Sequence, residues 1–211
     1  MEAKSLLRIG IIVGSTRPQR RAEVVARWVH EVAARHSARG AGDVSFQVVD
    51  LADYRLPLLD EPVPAAIGDY RNGHTRRWAE TVGSLDGFVV VTPEYNHSVP
   101  AALKNAIDFL FAEWNDKAAG FVSYGLNGGV RAAEHLRLAL AEVKVACVRS
   151  QVALSLNDDF TFPDITEPGL CTPAGRHEQI LHRLLDEVIA WASALRPLRQ
   201  PAAAGPPAGH C

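Results

Sequence analysis

Five apolar runs recur along the chain, each long enough for a β-strand and shorter than an ordinary helix. They are rich in β-branched residues, which is typical of strands buried on both faces of a parallel sheet. Between them, apolar residues recur at every third or fourth position and predict amphipathic helices. The predicted strands are residues 6–13, 44–51, 87–92, 118–124 and 143–148.

The predicted helices alternate with these strands. They cover residues 20–39, 69–84, 131–142 and 173–195, and a further helix starts near residues 98–100. Such alternation implies right-handed crossovers and an α/β fold, a parallel sheet with helices on both faces. Five strands fit the order 2-1-3-4-5, in which the chain changes direction between the first and third strands.

The length of 211 residues suits a single domain with one sizeable core. We predict that this domain covers residues 1–195. The remaining residues, 196–211, are rich in Pro, Ala and Gly and lack the apolar mass that would offset the entropy of ordering them. We therefore predict a mobile C-terminal tail.

Two polar segments follow the first and third predicted strands, where an open α/β sheet of this order binds its ligand. The first is predicted to hold a phosphate, since the helix start that follows it carries unpaired N–H groups and a partial positive charge. Glycine there permits a tight turn with a positive φ, hydroxyl groups donate, and an arginine fork binds phosphate through two bonds. The candidate ligands are Gly14, Ser15, Thr16, Arg17 and Arg21, with Arg20 as a further positive edge. A plain strand-to-helix turn with a simple cap stays an equal alternative.

The second segment, Pro93, Glu94, Tyr95 and Asn96, is predicted to hold a flat polar ring. Proline fixes the chain as it leaves the sheet, so that the following backbone N–H groups face one ligand, and the tyrosine adds a flat wall. Asn105 is expected to bond back into this loop and stiffen it. An acid–base pair of Glu94 and the nearby His97 is a weaker alternative, because residues close together on an extended loop usually point apart.

A third loop, after the fourth strand, is expected to cover the far side of the same ring. Its candidate residues are Ser123, Tyr124 and Gly125, and two further glycines at 128 and 129 allow close backbone approach. A flexible turn is the alternative for this loop taken alone. A phosphate site and a ring site at one edge of the sheet together favour flavin mononucleotide (FMN).

Composition excludes several other classes. The net charge of −2 gives no basic field for nucleic acid, and no apolar run approaches the roughly 20 residues of a membrane helix. The chain has no P-loop, no GxGxxG, no GxSxG and no metal-ligand spacing, so no metal is predicted. Three cysteines, an odd number without a CxxC pair, fit a reducing compartment, and we expect a cytoplasmic protein.

Three segments together resemble the NAD(P)H-dependent FMN reductase family. They are residues 14–17 (Gly-Ser-Thr-Arg), 93–96 (Pro-Glu-Tyr-Asn) and 100–108 (Pro-Ala-Ala-Leu-Lys-Asn-Ala-Ile-Asp). The resemblance, which covers roughly residues 6–154, implies a flavodoxin-like three-layer sandwich with a phosphate site at Ser15 and Arg17. Many family members carry a small polar phosphate ligand a few positions after that arginine, and here Arg21 is predicted to replace it.

The resemblance also implies an activity. FMN would take a hydride from NADPH or NADH and pass it to a flavin, quinone, azo compound or similar small acceptor in a ping-pong cycle, without a protein acid or base. It further implies a homodimer or homotetramer with the flavin near a subunit boundary. An FMN electron carrier that does not turn over nicotinamide is the first alternative, which the low net charge disfavours. A biosynthetic tailoring reductase on the same scaffold is the second.

Overall fold

The computed structural model of the protein describes residues 6–38 and 43–199. Its main feature is a five-stranded parallel sheet in the order β2-β1-β3-β4-β5, which confirms the predicted α/β fold and strand order. The strands are β1 (Leu7–Val13), β2 (Val44–Asp50), β3 (Gly87–Pro93), β4 (Lys117–Gly125) and β5 (Val145–Ser155).

Six helices flank the sheet among the described residues: α1 (Ala22–Ala38), α2 (Leu51–Tyr54), α3 (Gly73–Gly83), α4 (Ala101–Asp108), α5 (Val130–Glu142) and α6 (Gly175–Leu195). Two apolar clusters form the layers. On one face α1 and α6 pack against β1, β3 and β4, and on the other face α3, α4 and α5 bury the tryptophans Trp78 and Trp114. Each strand of the centre is covered on both sides, which is why its sequence is almost continuously apolar.

The fifth strand is longer than the prediction of 143–148. It begins at Val145 and continues to Ser155, across a register shift in its pairing with β4. Its second half carries polar residues that mask the apolar pattern. The structure gives them partners, because Ser150 donates from both its N–H and its hydroxyl group to the carboxylate of Glu187 on α6, at 2.9 and 2.6 Å.

A helical turn and a hairpin are two of the short elements that were not predicted. One is α2, which begins where the carboxylate of Asp50 accepts a hydrogen bond from the N–H of Ala52 at 2.9 Å. The other is a hairpin, residues 160–171, formed by β6 (Phe160–Thr161) and β7 (Leu170–Cys171), which pair antiparallel. Strands of two residues leave no periodicity that a sequence pattern can show.

The first residues of the predicted tail are attached to the sheet. Arg196–Arg199 forms a 3₁₀ turn, and Arg199 donates to the carboxylate of Asp86 at 2.5 Å, just before β3. The predicted mobile segment from residue 200 onward, like Arg39 at the end of the first predicted helix, lies outside the described residues. No helix in the described part of the chain is long and apolar enough to cross a membrane.

Candidate functional site

The first and second predicted loops meet at the carboxyl edge of β1 and β3. The hydroxyl groups of Ser15 and Tyr95 are hydrogen bonded at 3.0 Å, although the two residues are 80 positions apart in the chain. Ser15 is fully buried, so this bond fixes the first loop against the second. The two loops therefore lie at one edge of the sheet, as a shared phosphate and ring site would require.

Gly14 serves a different purpose from the predicted one. It does not adopt a positive φ; in this loop Gln19 does, at 54°. A Cβ atom on Gly14 would lie 2.9 Å from the carbonyl oxygen of Val91 and 2.9 Å from a methyl carbon of Leu103. The N–H of Gly14 also donates to Val91 at 2.8 Å. Glycine is needed here because β1 and β3 approach too closely for a side chain.

The three arginines of the first loop have different environments. Arg20 is committed to structure, since it donates to Asp50 at 2.5 Å and pairs with Glu23 at 2.8 Å. Arg17 is exposed and lines the cleft described below, and Arg21 lines the same cleft. The predicted phosphate ligands Arg17 and Arg21 are therefore brought together, whereas Arg20 is not available as a further positive edge.

Thr16 is exposed, and it lines a different cavity from Arg17 and Arg21. It lines a separate cavity of about 200 Å³ together with Arg55 of the segment after α2 and Asn105 of α4. The prediction that Asn105 bonds back into the second loop is wrong. Its side chain accepts from the N–H of Leu59 at 3.0 Å and donates to the carbonyl of Pro57 at 2.7 Å, so it fixes the Pro-rich segment that precedes α3.

The second loop is a tight two-residue turn. Tyr95 and Ser98 exchange backbone hydrogen bonds at 2.9 and 3.0 Å, and Asn96 and His97 between them have positive φ values of 46° and 73°. Glu94 donates its N–H to the carbonyl of Tyr124 at 3.0 Å. The prediction that three consecutive N–H groups face a ligand is therefore wrong for Glu94 and Tyr95; the N–H of Asn96 has no backbone acceptor in the described chain.

Glu94 is not placed to act as a base. Burial raises the pKa of its carboxyl group, but the hydrogen bonds and charge of Arg131 on α5 outweigh burial and leave the pKa below its usual value. Arg131 forms an ion pair with Glu94 and also donates its backbone N–H to it at 3.2 Å. The imidazole of His97 lies 5.8 Å from that of His135, centroid to centroid. The carboxylate thus ties the second loop to α5.

The third loop contributes its backbone and an aromatic ring. The hydroxyl of Ser123 is buried and donates to the carbonyl of Gly128 at 2.6 Å, so it braces the loop from inside. The ring of Tyr124 is also buried, 6.0 Å from that of Phe160. Burial and the neighbouring Tyr95 raise the pKa of the Tyr124 phenol well above its usual value, so the phenol stays neutral. Gly125 borders the cleft directly.

The three loops surround a cleft made of two adjoining cavities. The smaller, of about 160 Å³, lies between the second and third loops and the two arginines; its lining residues are Arg17, Arg21, Pro93, Glu94, Tyr95, Tyr124, Gly125 and Leu156. The larger, of about 790 Å³, shares Arg17, Arg21 and Leu156 and continues to the hairpin at residues 160–166. We call the two together the carboxyl-edge cleft.

The wall formed by residues 156–166 was missed from the sequence. It follows the half of β5 whose pattern was masked, and no element was predicted between residues 148 and 173. Its aromatic pair Phe160 and Phe162, in an otherwise polar stretch, was the one available signal. Their rings lie 5.8 Å apart with planes at 5°.

The chemistry of the cleft fits a phosphate-bearing flat ligand. Of the residues that the structure describes, two arginines and no carboxylate line the larger cavity, and the one carboxylate lining the smaller cavity, Glu94, is neutralised by Arg131. Guanidinium forks suit phosphate, and aromatic walls suit a planar ring. Among the described residues no group of His, Cys, Asp and Glu is arranged to hold a metal ion. Burial raises the pKa of the Cys147 thiol to about 11, so that thiol is not a nucleophile.

Comparison with known proteins shows the family of the chain. The family model described as NADPH-dependent FMN reductase matches residues 7–159. An NAD(P)H-dependent FMN reductase of Schizosaccharomyces pombe is 36% identical over 165 residues, 77% of this chain and 80% of the relative. A quinone reductase of Pseudomonas putida is 30% identical over 148 residues, 67% of this chain and 73% of the relative.

Among solved structures, the flavoenzyme NAD(P)H:(acceptor) oxidoreductase FerB of Paracoccus denitrificans shares the fold. The two superimpose with a TM-score of 0.66 and 20% identity, over 90% of this chain and 98% of that one. The predicted resemblance and the predicted cofactors, FMN and NAD(P)H, are thus confirmed at the level of the family. The chain belongs to the NADPH-dependent FMN reductase family, enzymes that use FMN and NAD(P)H.

Proposed function

We propose that this protein is an oxidoreductase that passes reducing equivalents from NAD(P)H through FMN to a small flat acceptor such as a quinone, a flavin or an azo compound. FMN bound in the carboxyl-edge cleft would supply the hydride chemistry. The observation that carries the proposal is the bond between Ser15 and Tyr95, because it joins a cationic half and an aromatic half into one cleft. Relatives named quinone reductases support a quinone as acceptor.

The chain's own residues would bind and orient. We infer that Arg17 and Arg21 hold the phosphate, and that the N–H of Asn96 and the backbone of Gly125 meet the edge of the ring. Glu94, held by Arg131, keeps these two ring loops at a fixed separation. We infer a ping-pong cycle, since a ring seated in one open cleft presents one face to the nicotinamide and the acceptor in turn.

Steady-state kinetics test the proposal. NAD(P)H oxidation by the FMN-loaded protein should need an added quinone, and reciprocal plots at several quinone concentrations should be parallel. Anaerobic NADPH alone should remove the visible flavin absorbance before any acceptor is added. Intersecting plots would rule out the ping-pong cycle. Bound FMN without NAD(P)H oxidation in the presence of a quinone would favour the electron carrier instead, and turnover with a single dedicated substrate would favour a tailoring reductase.

The link between the first two loops gives a prediction of its own. Tyr95→Phe removes the hydroxyl partner of the buried Ser15, and we expect the affinity for FMN to fall about three- to tenfold, near 1 kcal/mol for one lost hydrogen bond. Quenching of flavin fluorescence on addition of apoprotein measures it. Tyr70→Phe is the matched control, because its hydroxyl donates to Glu113 at 2.8 Å away from the cleft. Equal losses in both variants would count against the role of Tyr95.

We also propose a cytoplasmic homo-oligomer, as the family resemblance implies. Burial raises the pKa of the thiol of Cys171 to about 12 and of Cys147 to about 11, so both thiols are protonated at neutral pH. Both described cysteines are also free of disulfides, which suits a reducing compartment. Sedimentation of the FMN-loaded protein would distinguish a dimer or tetramer from a monomer.

A further inference from the structure

The hairpin at residues 160–171 lies outside the span of 7–159 that matches the family model, yet it forms one wall of the carboxyl-edge cleft. It touches the cleft through Phe160, Phe162 and Ile165.

The base of the hairpin is anchored firmly. Asp159, which is 1% exposed, accepts a hydrogen bond from the N–H of Ser155 at 2.9 Å with its carboxylate. Its backbone carbonyl accepts from Thr172 at 2.9 Å, and its carboxylate pairs with His177 of α6 at 3.2 Å. One buried residue thus connects the end of β5, the hairpin and α6.

The ring of Phe162 packs closely against the backbone at Gly169. Gly169 has a φ of 73°, and a Cβ atom there would lie 2.5 Å from Cδ1 of Phe162. The ring of Phe162 also lies parallel to that of Phe160. Glycine at 169 therefore lets the hairpin close tightly behind Phe162, which becomes a fixed platform at the cleft wall.

Arg21 rests on this platform. Its guanidinium carbon lies 4.4 Å from the centroid of the Phe162 ring, a cation–π distance, and its Nη2 donates to the carbonyl of Ile165 at 2.9 Å. Its Nε is buried and has no hydrogen-bond partner in the described chain. The guanidinium group therefore has N–H donors that are not used within the protein. Arg21 and Arg17 both line the two cavities, so these donors lie where the cavities meet.

We propose that Phe162 and the carbonyl of Ile165 are positioning groups that hold Arg21 ready for the phosphate of FMN. The inference rests on the FMN site proposed above. An arginine side chain loses much rotamer freedom when it binds an anion, and a side chain already fixed by the hairpin has less freedom left to lose. The hairpin would therefore contribute to cofactor affinity through Arg21.

Riboflavin, which has the ring but no phosphate, separates this effect from a change in the shape of the cleft. Phe162→Leu should lower the affinity of the apoprotein for FMN three- to tenfold and leave its affinity for riboflavin unchanged. Gly169→Ala, which displaces Phe162 from behind, should act in the same direction, and Phe162→Tyr, which keeps the ring, should bind as the unsubstituted protein does. In an Arg21→Gln background, Phe162→Leu should have no further effect.

Several outcomes would overturn the inference. Equal losses for FMN and riboflavin would make Phe162 a wall residue only, and additive losses for Phe162→Leu and Arg21→Gln would show that the two act separately. Leu170→Ala is the matched control and should bind FMN as the unsubstituted protein does, since it removes an exposed side chain of the same hairpin that is not among the residues lining the carboxyl-edge cleft. An unsubstituted protein that binds riboflavin as tightly as FMN contradicts the phosphate site itself. One that binds neither contradicts the proposed function and with it this inference.

Discussion

Gly14→Ala is expected to lower the affinity of the protein for FMN by more than tenfold. The new methyl carbon would lie 2.9 Å from the carbonyl oxygen of Val91, an atom of the β3 backbone that has no freedom to rotate away. The carboxyl ends of β1 and β3 must then separate by several tenths of an ångström. Ser15 lies two residues after the end of β1, and Tyr95 lies two residues after the end of β3, so the separation acts on the bond between the two loops. Overpacking of this kind also lowers stability, by about 1–3 kcal/mol.

Gly10→Ala provides the control within the same strand. A Cβ atom there would meet Cδ1 of Leu85 at 2.6 Å, the end of a flexible side chain near the opposite edge of the sheet. Both variants should unfold at lower temperature, but only Gly14→Ala should show a weakened fluorescence-quenching titration with FMN. An alanine at position 14 that binds FMN normally would mean that the spacing of β1 and β3 does not control the site.

Lys117→Met is expected to change how stability depends on pH. Lys117 is 2% exposed, at the start of β4, and its amine donates to the carbonyl of Val82 at the end of α3 at 2.6 Å. Burial, aided by the nearby positive charge of Arg199, lowers the pKa of this amine from 10.5 to about 7. Asp86 and Glu113 oppose the shift but do not cancel it.

The direction of the effect follows from proton binding. Between pH 7 and pH 10.5 the unfolded chain holds a proton on Lys117 that the folded chain has released, so the stability of the unsubstituted protein rises with pH across this window. Below pH 7 both states hold the proton and the full cost of burying the charge is present. Relative to Lys117→Met, we expect the free energy of unfolding to rise by on the order of 3 kcal/mol from pH 7 to pH 10.

Urea unfolding at several pH values measures this difference. Lys104→Met is the control, since Lys104 is half exposed and pairs with Asp108 at 2.7 Å on the surface of α4. Its curve should stay parallel to that of the unsubstituted protein at all pH values. A parallel curve for Lys117→Met as well would show that the buried amine keeps its proton in the folded state.

The sheet could be predicted because strands that are buried on both faces appear in the sequence as continuous runs of apolar residues. Where polar residues interrupt such a run, the prediction failed for an identifiable reason. Ser150 in β5 looks like a loop residue, and it is tolerated in the strand because Glu187 of α6 accepts both of its hydrogen bonds. Partners so distant in sequence give no local signal.

The site was predictable to a similar degree. Loop positions follow from strand order, so Ser15 and Tyr95 could be expected to meet. Which backbone N–H groups of the second loop form hydrogen bonds within the protein could not be foreseen, because this depends on the tight turn at Asn96 and His97. Both residues adopt the positive φ that sequence patterns associate mainly with glycine. The steric need for Gly14 depends on the distance between β1 and β3, which no single strand encodes.

The anchoring of the hairpin at Asp159 has a consequence for how such a protein can diversify. Its outermost residues, 163–167, are exposed, whereas its base is fastened to β5 and α6. Insertions or substitutions at that tip would alter which molecules gain entry while the scaffold keeps its register. New selectivity can therefore be acquired without endangering the fold.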